Sequence, residues 1–293
     1  MAEWETIRVL PVVKAYPEAS KKYKTTICVA AVTIPDGRWV RLYPIRFTAY
    51  PPEKRFKKYQ PFEVSAVRNH VDKRPESYRI DEGTIRILGP VVDTKNDWAE
   101  RKRLLYGGRV ASFCELQRLQ KVEKKSLGMV RVGKVTRFRT VDASEEKVRW
   151  ADEMHHEYAV GPDLFNEEKL EVEALAFKFM YSFRCTDETC RGHNCSVLDW
   201  EAYALYRRMV GRWGEDQAVE KVRQMYVDTI CGPDKETYFY MGNMKAHPTS
   251  FLVLGAFYPK KTESPTLYES DLDPNTRTEI PSKASEPAPN LFS

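Results

Sequence analysis

A short segment of the chain concentrates side chains that bind transition metals. The run from Cys185 to Cys195 contains three of the six cysteines and one of the five histidines. Thiolate and imidazole are donors that zinc prefers, and a tetrahedral site needs four of them close together. We therefore predict a zinc site formed by Cys185, Cys190, His193 and Cys195, with an iron–sulfur cluster as the alternative cofactor.

The ligand spacing does not fix which residue is the fourth ligand. The pattern C-x4-C-x2-H-x-C is not a standard zinc-finger spacing, and one residue separates His193 from Cys195. One of the four could be idle, with Cys231 or His247 completing the shell. The non-metal interpretations are a disulfide, which does not suit a cytoplasmic chain, and a set of inert buried cysteines.

Two carboxylates follow the cysteine cluster and raise the question of catalysis. Asp199 and Glu201 stand where a helix is predicted to begin, so an N-cap and a first-turn acid are the preferred interpretations. We therefore favour a structural metal and predict no catalytic residue. The alternative is a metal-dependent nuclease or hydrolase that uses Asp199, Glu201 or the pair His155 and His156, so enzymatic activity is left open.

Basic residues interleaved with aromatic residues suggest a second type of site. Strand alternation would place Trp39, Arg41 and Tyr43 on one face. Lys57 and Lys58 lie between Phe56 and Tyr59. Rings beside cations suit base stacking and phosphate contacts, so these residues predict a nucleic-acid-binding surface. Its members are Trp39, Arg41, Tyr43, Lys57, Lys58, Arg137 and Arg139.

The charge distribution is compatible with a polyanionic partner. The chain has 47 Lys and Arg against 42 Asp and Glu, a net charge of +5. Residues 262–293 contain six acidic and two basic residues. The preceding residues, 1–261, therefore carry a larger net positive charge than the whole chain. Lys and Arg neutralise phosphates, so DNA or RNA is the predicted partner.

Hydrophobic patterning predicts a β-rich α+β fold. The segments 25–34 and 39–47 flank the turn Pro35-Asp36-Gly37 and predict a hairpin. Ser112 and Glu115 have the spacing of a helix capping box, and a helical pair is predicted downstream of the cysteines. The other predicted elements are strands at 61–68, 128–140, 170–184, 238–241 and 251–258 and a helix at 96–106.

We predict three regions along the chain. These are a β-rich N-terminal barrel (1–92), a mixed α/β region with the Cys/His knuckle at 185–195 and the helical pair (93–261), and a disordered acidic tail (262–293). The end of the tail, Pro289–Ser293, has the form of a short docking motif. No stretch is long and apolar enough for a membrane helix, and a cytoplasmic location without membrane partners is predicted.

Several motifs resemble those of a group of uncharacterised bacterial proteins. The resemblance rests on the block from Ser20 through Pro44, the run Phe56–Tyr59, Arg74–Tyr78, the Cys190–His193 element with Leu198–Glu201, and Gly242-Asn. It covers most of residues 7–260. It implies dual OB-like barrels, a Cys/His metal loop and an association with mobile or defence loci, but no catalytic residue.

These observations together give one functional hypothesis and two alternatives. We expect one or two small OB-like barrels with a zinc knuckle, acting in sequence-tolerant nucleic-acid binding within a bacterial defence or mobile-element assembly. The alternatives are the metal-dependent hydrolase and a protein–protein adaptor that uses the basic face and the C-terminal tail.

Overall fold

A computed structural model describes residues 3–15, 18–20, 24–46, 55–145 and 177–261. These residues form twelve strands in two six-stranded sheets, together with four α-helices. The predicted β-rich α+β class is confirmed. None of the helices within these ranges combines the length and the apolar character needed to cross a bilayer.

The first sheet closes into a barrel. β1 (Glu5–Lys14) pairs with both β3 and β5, and the parallel pair β4–β6 completes a ring in the order β1-β3-β4-β6-β5. This is the strand order of an OB-type barrel, so the expected OB-like barrel is confirmed. The remaining strands are β2 (Glu18–Ser20), β3 (Lys24–Thr33), β4 (Trp39–Ile45), β5 (Phe62–Arg68) and β6 (Ser77–Ile87).

The predicted hairpin corresponds to β3 and β4. Gly37 adopts a φ of +66°, which suits a glycine at a tight turn, and the Thr33 hydroxyl donates to Asp36. Alternation sends Val40 and Leu42 into the barrel core with Val29. Trp39 packs on the opposite side, in a second cluster that includes Tyr240 of the other sheet.

A short helical segment links the two sheets. It comprises α1 (Lys95–Leu105), a 3-10 turn (Tyr106–Gly108), β7 (Arg109–Val110) and α2 (Phe113–Glu123). The predicted cap is present, because the Ser112 hydroxyl accepts a hydrogen bond from the Glu115 N–H at 3.0 Å.

The second sheet repeats the strand order of the first. β8 pairs with β9 and β11, β9 pairs with β10, and β11 pairs with β12. A single parallel bridge from Val197 to Val253 brings the chain after β10 against β12 and closes the ring. The strands are β8 (Leu127–Asp142), β9 (Phe177–Cys185), β10 (His193–Ser196), β11 (Tyr238–Asn243) and β12 (Phe251–Phe257).

The predicted helical pair lies between β10 and β11. It consists of α3 (Trp200–Trp213) and α4 (Glu215–Arg223), and α4 continues into a π-helical turn (Gln224–Thr229). The Tyr181 hydroxyl donates to the Tyr226 carbonyl oxygen at 2.6 Å, so this carbonyl is hydrogen-bonded from outside the helix. The second helix of the predicted pair therefore has two geometries.

Candidate metal centre

Four elements of the second barrel bring three thiols and one imidazole together. Cys114 lies in the first turn of α2, Cys185 ends β9, Cys190 lies in the following loop and His193 begins β10. One ligand atom from each of these residues lies within 4.8 Å of the other three. This cluster, called the Cys3His cluster below, can hold a metal ion.

The distances suit one tetrahedral ion. The Sγ atoms of Cys114 and Cys185 are 3.6 Å apart, and His193 Nε2 is 3.4 Å from Cys114 Sγ and 3.2 Å from Cys190 Sγ. Zinc bonds of about 2.3 Å to sulfur and about 2.0 Å to nitrogen require ligand separations of about 3.5–3.8 Å in a tetrahedron. The donor set and its spacing therefore fit zinc with small adjustments.

Asp187 holds the loop that carries Cys190. Its carboxylate accepts hydrogen bonds from the Thr189 N–H at 3.0 Å and the Thr189 hydroxyl at 2.6 Å. It also lies 3.3 Å from the Arg118 guanidinium of α2. Gly192 adopts a φ of +104°, which a glycine accommodates at a tight turn. The loop is therefore tied to the helix that supplies Cys114.

Burial shifts the pKa values of two members of the cluster, His193 and Cys114. The His193 ring packs 4.6 Å from the Phe113 ring and 5.4 Å from the Phe183 ring. Burial lowers the pKa of His193, so the imidazole is neutral and able to ligate at neutral pH. Burial also raises the pKa of Cys114 to about 12, with further contributions from Cys185 and Cys190. A cation entering the cluster must displace that proton.

Cys195 was predicted as a ligand, but the structure places it elsewhere. Its side chain is 4% exposed and lies in the hydrophobic core of the second barrel, outside the group of four. It stands two positions beyond His193 on β10, a rise of roughly 6.6 Å along a strand. Cys231 and His247, considered as substitutes, are not members of the group either.

Cys114 is a candidate ligand that the sequence pattern did not predict. It lies 71 positions before Cys185 and has no neighbouring cysteine or histidine. The one local signal was the cap at Ser112, since a cysteine two residues after a cap lies in the first helical turn. There the helix dipole favours a thiolate.

The predicted nucleic-acid-binding residues do not form one surface. Trp39 and Arg41 are 6% and 5% exposed, because their face of β4 packs against the second sheet. The Trp39 Nε1 atom donates to the Gly108 carbonyl oxygen at 2.6 Å. Tyr43 is half-buried and Lys57 is exposed. Alternation along β4 was predicted correctly, but the face with Trp39 and Arg41 meets protein rather than solvent.

Lys58 belongs to a separate polar cavity together with the two carboxylates considered for catalysis. Its Nζ lies 3.1 Å from Glu201 Oε2. Asp199 caps α3 as predicted, accepting from the Glu201 N–H at 3.1 Å, and also accepts from the Tyr226 hydroxyl at 3.0 Å. Burial raises the pKa of Asp199 to about 6, against the opposing effect of Lys58.

The residues considered for catalysis do not lie beside the candidate metal site in the described part of the chain. Neither Asp199 nor Glu201 belongs to the Cys3His cluster, and His155 and His156 lie outside the described residues.

Arg137 and Arg139 lie on the outer face of the β8–β9 ribbon. Lys134 pairs directly with Arg184, Arg137 with Ser182, and Arg139 with Met180. Arg139 is half-buried and donates to the Ser182 hydroxyl at 3.0 Å. We call Lys134, Arg137, Arg139 and Arg184 the cationic ribbon. In the part of the chain that the structure describes, none of the four forms an ion pair with a carboxylate.

Comparisons with solved structures give only distant similarities. One match is titled "Molecular basis for abrogation of activation of pro-inflammatory cytokines", with 9% identity and a TM-score of 0.29 over 67% of this chain and 76% of that one. Another is "Structure of murine DNA binding protein bound with ds DNA", with 10% identity and a TM-score of 0.30 over 89% of this chain and 99% of that one. At these scores neither match supports an argument about fold or function.

Family models give a clearer result. No curated protein matches the sequence. The model described as Domain of unknown function (DUF8758) matches residues 5–107, which contain the first barrel. The model described as Domain of unknown function (DUF8757) matches residues 109–272, which contain the second barrel and all four residues of the Cys3His cluster. Because the second match spans more than half of the chain, the protein belongs to the family described as Domain of unknown function (DUF8757).

Proposed function

We propose that the protein binds nucleic acid through the cationic ribbon and that a structural zinc ion in the Cys3His cluster fixes the strand that carries part of this ribbon. Neutralisation of backbone phosphates by these cations would make the binding tolerant of sequence. The observation that carries the proposal is the positive charge on the outer face of β8 and β9, which no carboxylate of the described residues neutralises.

The pairing of Lys134 with Arg184 is the strongest part of that observation. Both side chains are exposed and stand directly opposite each other in the antiparallel ladder. Like charges in this position destabilise a sheet, and a bound phosphate would remove the repulsion. Arg137 continues the positive face along the same strand. A polyanion is the partner that this arrangement suits.

The Cys3His cluster supports the proposal through its position. Cys185 follows Arg184 directly, so a metal bound at Cys185 would restrain the end of β9. Zinc is favoured over an iron–sulfur cluster because the four donors are close enough to share one ion. An iron–sulfur cluster would need space between the ligand atoms for its iron and sulfide atoms. One imidazole among three thiolates is also a common structural zinc set.

The experiment is a salt titration of oligonucleotide binding, followed by fluorescence anisotropy. The Arg137→Gln/Arg139→Gln double variant should bind more weakly and reduce the slope of log K against log salt by roughly 1 to 2. The matched control is Arg8→Gln/Arg86→Gln, which removes two exposed arginines that pair with Glu63 on the first barrel. Binding that is absent, independent of salt, or equally weakened by both double variants would reject the proposal.

The other sequence-based hypotheses gain no structural argument. The hydrolase alternative places Asp199, Glu201 or the pair His155 and His156 beside the metal. The two carboxylates lie in a different cavity, and the two histidines lie outside the described residues. The adaptor alternative uses both the basic face and the tail at 262–293, and the tail lies outside the described residues. Neither family description names a bacterial defence or mobile-element assembly, so that association stays a prediction.

A further inference from the structure

A cavity of about 580 Å³ lies between the two barrels. β3 and β4 form one side, and the loop after β5 and the loop between β11 and β12 form the rim. Its volume is within the range of small-molecule sites, about 300–1,000 Å³. The cavity is separate from both the Cys3His cluster and the cationic ribbon.

Three buried polar atoms without hydrogen-bond partners belong to residues that line this cavity. They are Thr26 Oγ1, Arg41 Nε and Asn243 Oδ1, and no other buried side-chain polar atom of the described residues lacks a partner. The three residues are 1%, 5% and 3% exposed. Buried polar groups in native proteins are almost always paired, so their concentration at one cavity points to a ligand.

Hydrogen bonds to the surrounding protein hold the side chains of Arg41 and Asn243 in place. Arg41 Nη2 and the Asn243 N–H both donate to the Ser126 carbonyl oxygen, at 3.1 Å and 3.2 Å. Asn243 Nδ2 donates to the Pro248 carbonyl oxygen at 2.6 Å. Because a carbonyl only accepts, this bond fixes the amide orientation and leaves Oδ1 as the free acceptor.

The free atoms define what a ligand must present. Arg41 Nε–H needs an acceptor and Asn243 Oδ1 needs a donor, and the shared contact with Ser126 places these two residues side by side. The Thr26 hydroxyl can pair with either kind of group. A carbonyl next to a ring N–H meets these needs. The cavity walls supply apolar contacts from Ala30 and Leu254.

The mouth of the cavity is cationic. Arg79 and Lys245 line it and are exposed, and neither forms an ion pair with a described carboxylate. Arg74, by contrast, is paired with Asp72 at 2.6 Å. An anionic group at the mouth would therefore meet two positive charges that no described carboxylate neutralises, while the remainder of the ligand occupies the buried floor.

We propose that this cavity binds a nucleotide whose base carries a carbonyl beside a ring N–H, as uracil does, with the base on Thr26, Arg41 and Asn243 and the phosphate near Arg79 and Lys245. The proposal does not rest on the cationic ribbon, because a single nucleotide has one phosphate and would be held by a different face. The nucleotide is either free in solution or one residue of a strand.

The test is calorimetric titration with UMP, uridine, CMP and inorganic phosphate. UMP should bind more tightly than CMP and uridine, by about tenfold for each missing interaction. Thr26→Val removes a hydroxyl that has no hydrogen-bond partner among the described residues, so the melting temperature should not fall, while the affinity for UMP should drop about tenfold. Arg41→Lys, which keeps the charge and loses Nε–H, should weaken UMP binding as well.

Two controls separate this site from the cationic ribbon. Thr136→Val on β8 and the Arg137→Gln/Arg139→Gln variant should both leave UMP affinity unchanged. A uridine-containing trinucleotide that binds more tightly than UMP, and is weakened by Thr26→Val, would identify a strand as the source. A trinucleotide that does not bind would identify the free nucleotide. The proposal is overturned if no probe binds, if phosphate alone binds as well as UMP, or if Thr26→Val leaves UMP affinity unchanged.

Discussion

The backbone of Gly133 lies directly against the carbonyl oxygen of Cys185, and a Cβ atom on Gly133 would approach that oxygen to 2.7 Å. The ladder between β8 and β9 shifts register at this point, because Gly133 is the extra residue between Val132 and Lys134. The bulge reverses the face of the following side chains, so that Lys134 points outward opposite Arg184. One glycine thus affects both the end of the strand that carries Cys185 and the start of the cationic ribbon.

Replacing Gly133 should therefore disturb the metal centre. In Gly133→Ala the new methyl group contacts backbone that cannot rotate away, so we expect the free energy of unfolding to fall by about 2 kcal/mol. The displaced Cys185 should also lower zinc affinity, which competition with a chelator measures. Gly211 is the control, since a Cβ there meets nothing within 4 Å and Gly→Ala in a helix stabilises by about 1 kcal/mol. Unchanged zinc affinity in Gly133→Ala would show that the bulge does not position Cys185.

The reassignment of the fourth ligand predicts different behaviour for two cysteines. Cys114→Ser should lose stoichiometric zinc and the stabilisation that zinc gives, because three donors remain. Cys195→Ser should retain zinc but lower the free energy of unfolding by about 1–3 kcal/mol, since it places an unpaired hydroxyl in the core. Elemental analysis and denaturation with and without chelator measure both effects. The opposite pattern would return Cys195 to the ligand set.

The buried Asp199 predicts a pH dependence of stability. Its pKa in the folded state is about 6, while an unfolded aspartate titrates near 3.9. Between these values the folded protein binds more protons than the unfolded chain, so stability falls as the pH rises through this interval. Asp199→Asn removes the titration and keeps an oxygen that can cap α3. Between pH 4 and pH 7 the free energy of unfolding should therefore fall by about 2 kcal/mol less in Asp199→Asn than in the wild type.

Urea denaturation at several pH values provides the measurement. Glu201→Gln is the comparison, because this exposed carboxylate lies beside Lys58 and is not an acceptor in the cap of α3. Its pH profile should follow that of the wild type more closely than the Asp199→Asn profile does. Identical profiles for the wild type and Asp199→Asn would contradict the raised pKa of this carboxylate.

The sequence predicted features that depend on near neighbours and missed those that depend on distant ones. The β3–β4 hairpin and the caps at Ser112 and Asp199 follow from turn chemistry and side-chain type within a few residues. Cys114 meets Cys185 only because α2 packs across the second barrel, which no local pattern encodes. The same reason applies to Arg41, since alternation assigns it to a face but does not say what covers that face.

The interior position of Trp39 gives the last prediction. The indole N–H donates to the Gly108 carbonyl oxygen and the ring packs edge-on against Tyr240, 5.9 Å between centroids. Trp39→Phe removes this hydrogen bond and leaves space beside the 3-10 turn, so the free energy of unfolding should fall by about 2 kcal/mol. Trp213→Phe, at a residue 54% exposed, should change the free energy of unfolding by less than about 0.5 kcal/mol.

Oligonucleotide affinity, measured where both variants are folded, should match that of the wild type, because Trp39 stabilises the contact between the barrels and is not available for base stacking. A selective loss of oligonucleotide affinity in Trp39→Phe would restore it to the binding surface.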